Sequence, residues 1–188
     1  MTPPLERRRE EWMKDVADAL RRLAEKHRVD LAGLSDRPEF VDAAVTATLA
    51  AIRTSSGKKR EALRNAVLNS ALGTVDASQQ QIFLAMTERF SDRHLVLLSL
   101  FASPGTWRDE SGRSIHDVGK MQGPGVLLAA FADAQENPWL YDAIWSDLFA
   151  AGLVRTPKID NGLEGGNIKR ATEFGKRYLA FISSPIDP

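Results

Sequence analysis

The chain has 188 residues, enough for one ordinary domain or a small pair, and its 25 basic and 25 acidic side chains cancel to no net charge. It has no cysteine, which excludes a disulfide framework, a thiolate nucleophile and any zinc site built on Cys. Zero net charge also argues against a protein held to nucleic acid by its overall field, so such binding has to come from a local patch. The start MTPPLERRREEW lacks the apolar core of a signal peptide, and no apolar run approaches the roughly 20 residues of a membrane helix. The expectation is a cytoplasmic protein that does not enter a membrane.

Leu5, Trp12, Val16, Leu20, Leu23 and His27 form one apolar stripe with charge between them, which predicts an amphipathic helix over about 5–28. Asp36-Arg37-Pro38-Glu39 predicts a second helix start, with Asp36 accepting from a free backbone N–H. Phe40, Val41, Ala44, Val45, Thr48, Leu49 and Ile52 then make one face, and Ala43, Ala47, Ala50 and Ala51 the other, so this helix is expected to be covered on two sides. After the break at Ser55-Ser56-Gly57, a third helix faces Leu63, Val67, Leu68, Ala71 and Leu72 inward and ends at Gly73.

Asp76-Ala77-Ser78-Gln79 repeats the capping pattern and opens a fourth helix with Ile82, Phe83, Met86 and Phe90 inside. Asp92 caps HLVLLSLFA, apolar nearly all round and therefore central to a core. Residues 104–124 read as a long polar, glycine-rich loop. Val126 to Ala134 is a short apolar helix. Asn137-Pro138 caps the next, WLYDAIWSDLFAAG, whose buried stripe reads as Leu140, Ile144 and Leu148, with Gly152 closing it. LVRTPKI and NIKRAT flank the glycine-rich DNGLEGG and predict a β-hairpin, after which Thr172 caps a last helix with Phe174, Tyr178, Phe181 and Ile182 on one face.

Helix 92–103, helix 124–135, helix 138–151, hairpin 153–171 and helix 172–183 stand in the order of a winged helix-turn-helix. The text LFAAGLVRTPKI resembles the end of that family's second helix and its first wing strand. RATEFGKRYLAFI resembles the T-x-x-G-x-x-x-L segment that restarts a helix after the wing. LRNAVLNSAL, HLVLLSLFASP and TEFGKRYLAFI also resemble segments of uncharacterised bacterial proteins, a resemblance that implies no activity. The fold class expected is mainly α, an N-terminal helical bundle (1–91) packed on a winged-helix-like unit (92–188) with one short β-hairpin, the two sharing one core.

In a DNA-reading winged helix the second helix enters the major groove and carries Arg, Lys, Asn or Gln. Residues 138–151 contain no Lys or Arg, but Asp142, Asp147, Trp139, Tyr141 and Trp145. Carboxylates repel phosphate and exposed rings suit a protein surface, so Trp139, Tyr141, Asp142 and Trp145 are the expected partner-binding residues. The alternative is a DNA-binding regulator whose wing residues Arg155, Lys158, Lys169 and Arg170 contact the backbone. Arg53, Lys58, Lys59, Arg60 and Arg64 form a second cationic cluster, able to meet an anion or an acidic partner.

A third reading comes from His116-Asp117-Val118-Gly119-Lys120, which resembles the signature of HD-domain phosphohydrolases, a resemblance that implies His94 upstream as the first ligand and Asp133, Asp142 or Asp147 as the last. That run follows the polar RDESGRS instead of an apolar helix. No phosphate loop, nucleophile elbow or H-E-x-x-H motif is present. The reading reached is a non-enzymatic interaction or regulatory protein without cofactor or metal, docking a protein partner or a second copy of itself.

Overall fold

A computed structural model describes residues 4–109, 111–112, 114–116, 121–159 and 170–186. The described residues are mainly helical: α1 (Pro4–His27), α2 (Pro38–Arg53), α3 (Gly57–Leu72), α4 (Ala77–Arg89), α5 (Asp92–Ala102), α6 (Gly123–Ala130), α7 (Pro138–Ala150) and α8 (Glu173–Ile182), with a 3-10 turn at Ala32–Asp36. No helix among them is long and apolar enough to cross a membrane. The chain divides into two compact units. The first comprises Met1–Asp92 together with Ala180–Pro188, and the second Arg93–Leu179.

In the first unit α3 is the central helix. Ala62, Leu63 and the run Asn65 to Ala71 are all buried, so side chains leave it in nearly every direction into packed surroundings. Its ends are set locally: Ser56 Oγ accepts from the Lys59 amide at 3.0 Å, and Gly73 closes the helix at φ 66°, a left-handed conformation that glycine adopts without strain. Leu68 and Ala71 pack with Ala19 and Leu23 of α1 and with Leu34 of the 3-10 turn. Trp12, also buried, donates its indole N–H to Thr48 of α2 at 2.9 Å.

α2 is turned the opposite way from a usual surface helix. Its buried residues are the alanines Ala43, Ala47, Ala50 and Ala51, whereas Val41, Val45 and Leu49 are 39%, 54% and 48% exposed. Small side chains let two backbones approach closely, so the alanine face is covered, while of the other face Phe40, Ala44, Thr48 and Ile52 are half-buried and Val41, Val45 and Leu49 are left to solvent. The expectation of cover on both sides is corrected here. So is the cap: Arg37, not Asp36, is the N-cap, and no side chain satisfies the first amides. In α4 the Asp76 carboxylate accepts from the Gln79 amide at 2.9 Å as predicted, and Phe83 and Phe90 are fully buried. Ile82, expected inside, is 47% exposed.

The last turn of α8 belongs to this first unit and ends on α3. Asn65 Nδ2 donates to the Ile182 carbonyl at 3.0 Å, and Asn69 Nδ2 lies 2.8 Å from the Phe181 carbonyl and 3.0 Å from that of Ser183. Final helical carbonyls have no partner within their own helix. Here two buried amides, one turn apart on another helix, supply it.

In the second unit Leu95, Leu97, Leu98, Leu100 and Phe101 of α5 are buried, as their continuous apolar run predicts. Gly152 follows α7 at φ 72° and turns the chain toward Leu153. The predicted hairpin is not found as strands among the described residues. Val154 and Ala171 form an isolated antiparallel bridge, and residues 160–169, which include the predicted turn, lie outside the described residues. Thr172 builds the joint beyond the bridge. Its amide donates to the Leu153 carbonyl at 2.9 Å, its hydroxyl donates to the Gly152 carbonyl at 2.7 Å, and the same hydroxyl accepts from the Gly175 amide at 2.9 Å.

Candidate docking face on the second unit

Helix α7 is held by four of its own side chains. Tyr141, Trp145 and Leu148, with Ile144, are its buried residues, at the i, i+3, i+4, i+7 spacing of one helical face. Trp145 packs edge-on against Phe101 with ring centroids 4.9 Å apart and donates its indole N–H to the Thr156 carbonyl at 2.8 Å. Tyr141 stacks at a tilt on Phe131, centroids 5.1 Å apart, and its hydroxyl donates to Asp133 Oδ1 at 2.7 Å. Arg93 of α5 reaches the same carboxylate at 2.7 Å and also donates to the Tyr141 hydroxyl. A guanidinium, a carboxylate and a phenol thus tie the beginnings of α5 and α7 together.

Burial, then the hydrogen bond to Asp133, push the Tyr141 phenol up to about 12. The Tyr141 hydroxyl, followed by Arg93, holds the Asp133 carboxyl below its ordinary value. A phenol raised above its unfolded value near 10 stabilises the fold fully below that pH and loses the contribution as pH rises toward 12. A carboxyl depressed below about 3.9 contributes above that value and loses it as pH falls through the folded pKa. Alkaline unfolding followed by circular dichroism is therefore expected to steepen above pH 10, and Tyr141→Phe should remove that limb. An unchanged alkaline limb in the variant would contradict the assignment.

Tyr141 and Trp145 are 1% exposed each, so they form core and not the docking surface expected of them. The 140/144/148 stripe is corrected with them: Tyr141 and Trp145 are buried while Leu140 is half-buried. What α7 presents outward is Trp139, Asp142, Ala143, Ser146, Phe149 and Ala150, all exposed. Trp139 is 67% exposed and Phe149 40%, with small residues between them and no cation on the helix. Asp147 is also exposed and meets His94 Nε2 at 3.3 Å.

The cationic candidates have other surroundings. Arg170 is 2% exposed, and its Nη1 donates to Thr156 Oγ1 at 3.1 Å, so it is a packing residue and does not offer its charge to a phosphate. Arg155 and Lys158 are exposed, and Lys169 lies outside the described residues. In the first unit, Arg53 pairs with Glu88 Oε1 at 3.1 Å and Lys59 Nζ donates to the Glu88 carbonyl, at the C-terminal end of α4. Arg64 Nη2 is 3.9 Å from Glu61, while Lys58 and Arg60 are half-buried. Part of that cluster thus answers the negative end of a helix and its carboxylates.

His116 is exposed, and Asp117 to Lys120 lie outside the described residues. Among the described residues no group of three His, Asp or Glu side chains is placed to hold a metal ion. His27 is exposed beside the Pro185 carbonyl at 3.1 Å. No family model matches the chain, and no curated protein or solved structure matches it.

Proposed function

We propose that this chain is a non-enzymatic interaction or regulatory protein that docks a polypeptide on the outer face of α7. The observation that carries the reading is Trp139, 67% exposed on a helix whose only charged residues, Asp142 and Asp147, are acidic. Large exposed aromatic side chains are concentrated at the energetic centres of protein interfaces, where small neighbours let a partner approach them. The same helix in a groove of DNA would place two carboxylates against phosphates and carry no arginine or lysine to bases. The winged-helix reading of α5 to α8 is compatible with this use, because a scaffold does not dictate what its second helix meets.

The test is a photo-crosslinking residue placed at Ala143, with binding to random duplex measured in parallel at low salt. The expected result is a discrete protein adduct that Trp139→Ala removes without changing the melting temperature, and no duplex binding. A duplex complex that is lost when Arg155 and Lys158 are replaced, with no adduct from position 143, would overturn the proposal in favour of backbone contact to DNA.

A further inference from the structure

The charges of α7 are placed so that they select what can lie on it. Trp139, Ala143, Ser146 and Ala150 recur at spacings of four, three and four, so they form one straight strip along the outer side of the helix. Asp142 and Asp147 stand about 140° apart around the axis at 3.6 residues per turn, one on each side of that strip. Both are exposed. The Asp147 side chain keeps 58% of its surface open even where it meets His94, and Asp142 has no side-chain hydrogen bond or ion pair among the described residues. Arg93 is taken up by Asp133 and the Tyr141 hydroxyl on the covered side.

These charges argue against a second α7 as the occupant. Laid antiparallel about the middle of the strip, Asp142 of one copy meets Asp147 of the other. Laid parallel, each carboxylate meets its own counterpart. Both arrangements set acid against acid, with no Lys or Arg on the helix to relieve it. Nucleic acid and an anionic lipid surface are opposed for the same reason. What matches is a segment with apolar side chains along one line and Lys or Arg on both sides of it. The strip runs straight for about 17 Å, roughly three helical turns. Small side chains occupy its middle, so another helix can lie close against it.

We propose that the polypeptide docked by α7 is a cationic amphipathic helix, its apolar side chains on the strip from Trp139 to Ala150 and its Lys or Arg residues beside Asp142 and Asp147. The inference rests on the docking reading above and adds the partner's charge and form to it. An apolar helix face seated on a complementary surface, with opposite charges at the rim, is a recurrent mode of helix recognition. One helix on one helix is a small contact, so the complex is weak and salt-sensitive.

Fluorescence anisotropy of two labelled helical peptides reads the partner's charge. One carries Leu on a single face and Lys on its flanks, and its twin has Glu in place of every Lys. The full chain is expected to bind the Lys peptide and not the Glu peptide. Asp142→Lys should weaken the Lys peptide about tenfold and gain the Glu peptide, with the melting temperature unchanged. Trp139→Ala should lose the Lys peptide. Equal binding of both peptides, or a Lys peptide indifferent to Asp142→Lys or to Trp139→Ala, overturns the proposal. An adduct from position 143 that Trp139→Ala removes, alongside peptides showing no preference for Lys over Glu, overturns the cationic partner and leaves docking on α7 standing. Loss of that adduct as well would sink both.

Discussion

Replacing Gly175 by alanine is expected to cost the second unit about 3 kcal/mol or more, through overpacking against a backbone atom that cannot yield. Gly175 lies in the first turn of α8 and has no positive φ, so conformational freedom does not account for it. Space does. A Cβ at this position would sit 2.3 Å from the Leu153 carbonyl oxygen and 3.1 Å from its carbon. That oxygen is fixed by the Thr172 amide, and the Thr172 hydroxyl is fixed in turn by the Gly152 carbonyl and the Gly175 amide. The whole joint would have to open. Thr172→Ala, which removes the cap and leaves the close approach intact, should cost only about 1 kcal/mol. Urea unfolding of the two variants distinguishes them. Equal losses would show that hydrogen bonding, and not contact, governs the joint.

The second large effect is expected at Asn69. Its amide nitrogen has four carbonyls within reach: Asn65 at 3.0 Å, Ala180 at 3.4 Å, Phe181 at 2.8 Å and Ser183 at 3.0 Å. Two N–H groups cannot serve four acceptors fully, so the bonds are shared, and the shortest of them goes to the Phe181 carbonyl. Asn69→Leu keeps the volume and removes the donors. Leaving buried carbonyls unmet should destabilise the first unit by about 3 kcal/mol, more than one lost hydrogen bond of ordinary worth. Asn69→Asp should be at least as harmful, because a carboxylate would face carbonyl oxygens. Chemical denaturation measures both, and a loss under 1 kcal/mol for Asn69→Leu would mean that the end of α8 finds other partners.

Features that depend on near neighbours were legible in the sequence. Asp76 and Gly73 bond within four residues of themselves, Thr172 accepts from the amide three residues on, Gly152 turns the chain directly after α7, and each stands where its chemistry places it. Burial of the α5 run followed from its having no polar face. The misreadings share a different cause. In α2 the larger aliphatics were expected to be covered as well as the alanines, but which face is buried depends on how closely a neighbouring helix can approach. In α7 the stripe was drawn through Leu140, whereas the next position, Tyr141, is interior because Asp133 and Arg93 meet its hydroxyl. Arg170 looked like a wing cation, and only the fold shows its backbone amide bonded to the Phe101 carbonyl at 2.8 Å. The candidate face was thus half legible: Trp139 and Asp142 lie on it, and Tyr141 and Trp145 do not.

The bonds from Asn65 and Asn69 to residues 180–183 join positions more than 110 apart in the chain. During synthesis at about 5–20 residues per second, α3 therefore exists for roughly 6–22 s before the carbonyls that answer its amides have been made. A nascent chain halted anywhere in that interval lacks the carbonyls of residues 180–183, and of the acceptors Asn69 meets in the folded chain it has only the Asn65 carbonyl of its own helix. The earliest-made helices can collapse in that time, but their final packing has to wait for the ribosome to deliver the last turn of α8.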